Sequence, residues 1–398
     1  MVALKMDILL KIIFWSGLIA VAWPYTAYPI FLWLFSRKPV ALACKGDASL
    51  REPMVSVVIA AYNEESVITG RIRNLLAVDY PREKLELIIV SDGSTDRTNA
   101  LVERFGPDGV KLVVVPERGG KINALNTAVP LAKGEIVVLS DANTEFRPDA
   151  VRKLVRPFQD AEVGGVCGHL IFQSVKGSTS GEMEGAYWDF ESRLKEWEGR
   201  RGALLGANGG IYALRHALWT PLPAGTIIED FLVAMRILQY GKKVVFARDA
   251  IAFEDAAAVI EDEFTRRVRI GAGGYQALFM LLPMLRPTRG FPCFAFFSRK
   301  VLRWLCPFFL LGVFLSNFFL VGSPFYTWLF VAQVAGYSLA ILSILAQRRL
   351  PAVPLVLRLG GYFLLMNIAL LIGFFRWLTA RQSVQWQRTP RRLVSDHD

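Results

Sequence analysis

Residues 135–145 read Glu-Ile-Val-Val-Leu-Ser-Asp-Ala-Asn-Thr-Glu. Ile136 to Leu139 is a short apolar run rich in β-branched residues, the mark of a buried parallel strand. Polarity turns over at Ser140, and Asp141 and Asn143 follow two residues apart. A carboxylate and an amide so placed are hard oxygen ligands for a divalent cation, which in turn holds a diphosphate. The same pair also suits an Asx-type turn at a strand end. Ligands of open α/β sheets bind outside the carboxyl ends of the strands, so the neighbouring strand ends decide between these readings. Tyr62-Asn63-Glu64-Glu65 follows one apolar run, and Ser91-Asp92-Gly93-Ser94-Thr95-Asp96 follows a second. Gly119-Gly120-Lys121-Ile122-Asn123 lies near a third. Each alone could be a helix cap, with Asp96 well placed as an N-cap. Four in succession at one sheet edge make a site. Asp92 suits a ribose or base edge, Lys121 beside two glycines a phosphate, and Asp141 with Asn143 the metal.

The elements that must position them alternate. Strands are expected at Val55–Ala61, Leu85–Val90, Lys111–Val115 and from Ile136. Helices are expected at Glu64–Leu76, Asp96–Phe105 and Ile122–Val129. Repeated β–α units imply a mostly parallel sheet with right-handed crossovers. No G-x-G-x-x-G follows the first strand, which removes the main support for a nicotinamide or flavin site. Arg147–Phe158 and Glu182–Glu198 read as amphipathic helices flanking a strand at Gly164–Phe172. Glycines and small residues then crowd 202–210, where backbone must approach something closely.

The net charge of +11 raises the question of a nucleic-acid partner. Residues 51–275 carry 28 basic and 31 acidic side chains, whereas 276–398 carry 13 and 2. The excess therefore sits in the apolar ends, where it flanks membrane segments, and no nucleic-acid partner is expected. The four cysteines have no C-x-x-C spacing, so neither a zinc site nor a disulfide framework is expected, in keeping with a reducing compartment. Ile8–Phe35 is apolar over 28 residues, long enough to span a bilayer with tilt. The basic residues Arg37, Lys38, Lys45 and Arg51 behind it place the following domain in the cytoplasm. Downstream, Tyr275–Leu285 and the proline- and arginine-rich stretch after it read as interfacial. Leu305–Val321 and Tyr326–Ala346 read as spanning helices. Leu359–Phe375 breaks the charge parity, and a cytoplasmic basic tail is favoured.

These motifs resemble the inverting family-2 glycosyltransferases with a GT-A fold, over about residues 50–275. The flanking apolar segments resemble those of membrane-embedded β-polysaccharide synthases (cellulose, chitin, hyaluronan, poly-N-acetylglucosamine). The resemblance implies a GT-A domain at 51–275, a Rossmann-like, mostly parallel α/β sheet. An N-terminal transmembrane helix and linker (1–50) would precede it, with interfacial and transmembrane helices and a basic tail (276–398) after it. It implies nucleotide contacts from Ala60, Tyr62, Glu64, Asp92, Lys121 and Asp141, and a metal motif in which Asn143 replaces the second aspartate. Asp230, in Ile228-Glu229-Asp230, resembles the family's acceptor-site aspartate, with Glu229 beside it. Inverting transfer needs such a base to take the acceptor hydroxyl's proton. Acids there also suit the start of a helix.

Gly206, Asn208 and Gly209 resemble the acceptor-side glycine motif, and Trp386 the aromatic ending of some synthases. The family's Gln-x-x-Arg-Trp motif appears as Glu263-Phe264-Thr265-Arg266-Arg267, followed by Arg269, a basic cluster suited to a leaving diphosphate. Its tryptophan is missing. The expectation is a multi-pass protein of the inner (plasma) membrane, its catalytic domain cytoplasmic. It would be a hexosyltransferase using a UDP-linked sugar with Mg²⁺ or Mn²⁺ to elongate an exported polysaccharide, with partner proteins of an export complex. A single transfer to a lipid acceptor (a polyprenyl phosphate or glycolipid) is the first alternative. A catalytically silent sugar-binding scaffold is the second.

Overall fold

The computed structural model describes residues 2–36, 52–173, 179–255, 260–347 and 353–382. In chain order its first elements are α1 (Val2–Ala22), α2 (Ala27–Phe35), β1 (Val55–Ala61), α3 (Ile68–Leu76) and β2 (Leu85–Asp92). There follow α4 (Thr98–Glu103), β3 (Val110–Val115), α5 (Lys121–Ala128), β4 (Ile136–Asp141), β5 (Glu145–Phe146) and α6 (Ala150–Val155). Next come β6 (Val163–Gln173), α7 (Thr179–Arg200), β7 (Tyr212–Arg215), α8 (Glu229–Gln239) and β8 (Lys243–Asp255). The last helices are α9 (Ile260–Met280), α10 (Phe291–Ala295), α11 (Leu302–Phe319), α12 (Pro324–Gln347) and α13 (Leu355–Leu378). They fall into two compact units, Leu32–Ala258 and Met1–Phe31 with Val259–Gln382.

The first unit is built on one eight-stranded sheet of order β3-β2-β1-β4-β7-β6-β8-β5. β3, β2, β1 and β4 run parallel, as the β–α alternation predicts. β7 then lies antiparallel between β4 and β6, so the sheet is mixed. β1 and β2 are buried along their whole length, which is why they read as mostly apolar runs, broken only by Ser56 in β1 and by Glu86 and the terminal Ser91 and Asp92 in β2. Ile59, Ile72, Val138, Phe146 and Val151 belong to one continuous core between sheet and helices. The register sets Ala60 of β1 opposite Asp141 of β4, and Asp92 of β2 opposite Val115 of β3. The polar strand ends therefore share one edge.

Several boundaries move. α3 begins at Ile68 rather than Glu64, because Asn63 to Val67 form turns tied to the loop after β2. α4 begins at Thr98 with Arg97 at the cap position, so Asp96 is not the N-cap. Its Oδ1 accepts the Thr98 N–H at 2.9 Å from one residue further out.

In the second unit, four helices are long and apolar enough to cross a membrane: Leu4–Tyr25, Phe291–Phe319, Pro324–Ala346 and Leu355–Leu378. The expected continuous helix 8–35 is broken by a 3₁₀ turn at Trp23–Tyr25, where Pro24 has no N–H to donate. The expected interfacial stretch is also revised: Tyr275–Met280 ends α9, and α10 runs through a π-helical turn (Phe296–Val301) into α11. α9 and α13 approach closely at small residues. A Cβ on Gly373 would come within 2.7 Å of the Ala272 nitrogen, and Phe279 stacks on Trp377 at 4.8 Å.

Candidate functional site

The loops after β1 and β2 form one hydrogen-bonded body. Asn63 adopts φ +53°, a left-handed conformation that asparagine tolerates. Its N–H donates to Ser94 Oγ (3.1 Å), and its Oδ1 accepts from the Thr95 N–H (2.8 Å). The Glu64 N–H donates to Thr98 Oγ1 at 2.8 Å, and Glu64 is buried. Asp92, also buried, accepts the Gly119 N–H (2.9 Å) on Oδ1 and the Gly120 N–H (2.7 Å) on Oδ2. Its carboxylate thus anchors the turn that launches α5 and presents Lys121. Above this edge the Arg118 guanidinium lies 3.7 Å from the centre of the Tyr62 ring.

Lys121 is the hub. Its Nζ lies 2.6 Å from Asp141 Oδ1 and 2.5 Å from Glu229 Oε1, joining residues far apart in sequence. The loop 206–210 closes the cluster. Gly206 has φ +84°, and a Cβ there would strike the Phe231 ring at 2.6 Å, so only glycine fits. A Cβ placed on Gly209 would sit 3.3 Å from Asp141 Oδ2, 3.8 Å from Asp230 Oδ2 and 3.8 Å from Lys121 Nζ. One point beside Gly209 therefore faces two carboxylates and an ammonium. Asp141, Asp230 and Lys121 are brought together; Asp92 stands behind them as a support.

The electrostatics follow from burial against pairing. Burial works to lower the Lys121 pKa, but Asp141 and Glu229 outweigh it and hold the ammonium well above the ordinary lysine value. Asp230 is pushed up to about 6, first by burial and then by Glu229, against the pull of Lys121. Its Oδ1 accepts the Phe231 N–H at 2.8 Å, which leaves Oδ2 to face the Gly209 point. Glu229 is engaged by Lys121, so Asp230 is the better placed base. Tyr212, paired with Leu139 across β4 and β7, shares a sheet face with Asp141. Its hydroxyl is buried with no hydrogen-bond partner among the described residues, and burial, then Glu229, raises its pKa well above the usual phenol value.

Sequence reasoning missed Tyr212 and also Lys195. Lys195 is buried on α7, and its Nζ is hydrogen-bonded to Asn208 Oδ1. Asn208 in turn donates its N–H to Cys167 Sγ (3.2 Å) and its amide to the Gly168 carbonyl (3.0 Å), which holds the loop on β6. No sequence signal marks Lys195, on a helix rich in charged residues, as buried.

The donor set for a metal is small. Asn143 donates its amide to Glu254 Oε1 at 2.8 Å, which leaves its carbonyl oxygen for another partner, and Asp141 keeps Oδ2. Among the described residues no three His, Cys, Asp or Glu side chains cluster as a metal site. One carboxylate and one amide fit Mg²⁺ or Mn²⁺ only where substrate phosphates and water complete the shell. Arg266, Arg267 and Arg269 stand on α9 in the other unit, with Arg267 reaching the Tyr362 hydroxyl at 3.3 Å. Trp386, Arg388, Arg391 and Arg392 lie outside the described residues.

The model of glycosyl transferase family 2 matches residues 56–214, and that of glycosyl transferase family group 2 matches 136–379. Beta-monoglucosyldiacylglycerol synthase of Nostoc sp. (strain PCC 7120) is 33% identical over 177 residues, 42% of this chain and 36% of that protein. The chain thus matches about a third of that relative's length. Poly-beta-1,6-N-acetyl-D-glucosamine synthase of Staphylococcus aureus (strain COL) is 25% identical over 293 residues, 69% of this chain and 70% of that protein. Among solved structures, the mannosyltransferase PcManGT from Pyrobaculum calidifontis, in complex with GDP-Man and Mn²⁺, superposes with a TM-score of 0.72. It shares 23% identity and covers 95% of this chain and 99% of that one, and the GT-A fold is common to both. With the family match extending over more than half of its length, this chain belongs to the family-2 glycosyltransferases.

Proposed function

We propose that the protein transfers a hexose from a nucleoside-diphospho-sugar, UDP-linked, to the end of a growing polysaccharide with inversion. It would work at the cytoplasmic face of the inner (plasma) membrane. The observation that carries this reading is the convergence of Asp141, Asp230 and Lys121 on one point beside Gly209. Asp230 Oδ2 takes the proton of the acceptor hydroxyl. The hydroxyl oxygen attacks the anomeric carbon from the face opposite the diphosphate, and the bond from that carbon to the diphosphate oxygen breaks. Lys121 supplies the fixed positive charge that the leaving diphosphate needs, from a largely buried position. A Mg²⁺ or Mn²⁺ ion held by Asp141 and Asn143, as Mn²⁺ accompanies GDP-Man in PcManGT, would add further neutralisation of the diphosphate. The arginines of α9 and the partners of an export complex belong to the same reading.

A second reading has one observation in its favour: Arg267 occupies the position at which polymerising synthases carry tryptophan. Transfer would then stop after one sugar on a lipid, as the product named for the Nostoc relative suggests. Purified protein in detergent, given labelled UDP-glucose, UDP-N-acetylglucosamine or GDP-mannose with and without EDTA, separates the two by product length. A ladder of products supports polymerisation, and one labelled sugar per lipid supports the second reading. No transfer from any donor, or transfer undiminished in Asp230→Asn, refutes the assignment.

A further inference from the structure

Arg71 belongs to none of the motifs above, yet it is the best-connected cation beneath the site. It stands on α3, buried, and among the described residues no carboxylate comes within 4.0 Å of it. Its Nη1 donates to Asn74 Oδ1 (2.7 Å) and its Nη2 to Ser140 Oγ (2.8 Å), while the guanidinium lies 4.2 Å from the centre of the Phe146 ring. Asn74, one turn further along α3, grips the backbone of Phe146 through both its N–H (2.9 Å) and its carbonyl (2.8 Å). The helix thus holds both ends of the 140–146 turn that carries Asp141 and Asn143. Ser140 extends the chain: its Oγ donates to the Gly210 carbonyl at 2.6 Å. Gly210 is the residue after Gly209, where the donor-side and acceptor-side carboxylates meet.

We propose that Arg71 is a positioning residue for sugar transfer: acting through Ser140, it holds loop 206–210 against the end of β4 and so sets the separation of Asp141 from Asp230. This rests on the reading of Asp141 as donor-side and Asp230 as acceptor-side. Burying a guanidinium without a carboxylate is costly, and a neutral residue would fill the space more cheaply. Only arginine's planar fork reaches Asn74 and Ser140 at once while lying on an aromatic face. Burial lowers its pKa to about 9, against the pull of Asp141 and Glu145, so the fork keeps its charge at neutral pH. Among the described residues, Ser140 is the hydroxyl through which α3 reaches the acceptor loop.

The test compares Arg71→Met, Arg71→Lys and Ser140→Ala with the parent, as full-length protein in detergent. Three quantities are measured: donor Kd by calorimetry, with whichever of UDP-N-acetylglucosamine, UDP-glucose or GDP-mannose the parent binds most tightly; kcat for transfer; and hydrogen exchange of the 203–212 peptide without donor. Misplacing reacting groups by an ångström costs on the order of 100-fold in rate. Arg71→Met and Ser140→Ala should therefore lose about 10- to 100-fold in kcat, while donor Kd stays within about threefold. Exchange at 206–211 should quicken in both, and Arg71→Lys should lie between them and the parent. If Arg71→Met does not fold, Ser140→Ala decides alone, since it removes one hydroxyl. A kcat within twofold of the parent, donor affinity falling as far as kcat, or unchanged exchange at 206–211 would each overturn the proposal. If the parent turns over no donor, the proposed function fails, while the exchange measurement still reads the clamp.

Discussion

Lys121→Met removes the hub and leaves its oxygens in place. The parent structure holds one ammonium between two carboxylates, with side-chain exposures of 19% for Lys121, 23% for Asp141 and 11% for Glu229. Breaking a fully buried pair by deleting one partner costs about 3–5 kcal/mol, because the other charge is left uncompensated. With roughly a fifth of the ammonium still reaching solvent, about 2–3 kcal/mol is a reasonable expectation. For a unit of this size 1 kcal/mol shifts Tm by about 2–4 °C, so the variant should melt about 6 °C lower at pH 7.

The pH dependence gives a stricter check. Lys121 has a folded pKa above its unfolded one, so its contribution is complete below the unfolded value and is lost only as pH rises through the folded one. The deficit of the variant should therefore be no smaller at pH 8.5 than at pH 7. Scanning fluorimetry of parent, Lys121→Met and Lys121→Arg in detergent from pH 3.5 to 8.5 measures all of this, with the arginine variant recovering part of the loss. A Tm within 1 °C of the parent throughout, or a deficit that disappears by pH 8.5, refutes the argument that Lys121 neutralises these carboxylates.

Tyr212→Phe removes a buried hydroxyl that has no partner among the described residues, so Tm should hold or rise slightly where loss of a bonded hydroxyl would cost about 1 kcal/mol; chemical unfolding reads the difference. Asn143→Asp loses the donor to Glu254 and sets two carboxylates 2.8 Å apart; without metal it should melt lower than the parent, and Mn²⁺ should raise its Tm more than the parent's. Asp230→Asn should abolish transfer yet raise Tm at pH 7. The parent carboxylate has a raised pKa of about 6, so the stability it costs grows as pH rises from the unfolded value through 6, and the variant's advantage should vanish below about pH 4. For the same reason kcat/KM in the parent should fall on the acid side with a midpoint near pH 6.

The half of the sheet that the sequence made legible is the half with parallel strands. Val55–Ala61 and Ile136–Leu139 are buried on both faces, so their apolar runs have no other reading, and each is followed by polar residues that the register then aligns. β7 was not legible. It has four residues, one of them Arg215, which looks like a surface residue but spends its guanidinium on the Val163, Phe158 and Asp160 carbonyls. That short antiparallel strand is what carries loop 206–210 back over the end of β4, between β4 and β6. Lys195 and Arg71 were hidden for a related reason: on an amphipathic helix a cation reads as solvated, and its burial is decided by elements distant in sequence.

The convergence of the site is therefore a property of one insertion in the strand order. The parallel strands alone align Asp92, Ala60 and Asp141, the residues of the proposed donor side. Only when β7 enters antiparallel does a Cβ position on Gly209 come within 4 Å of both Asp141 and Asp230, which on the proposed reading adds the acceptor side. Lys121 then has a second carboxylate to bind, Glu229, from a helix that follows β7 in the chain. A variant that weakens the β4–β7 pairing without touching any polar residue should thus lose transfer before it loses donor binding. Leu214→Pro makes that variant: it sits opposite Val137, and because the His216 N–H two residues on donates to the Glu135 carbonyl, the Leu214 N–H that proline removes is on the β4 side. Equal loss of donor affinity and transfer in a folded Leu214→Pro protein would show that the two halves of the site do not depend on β7 in this way.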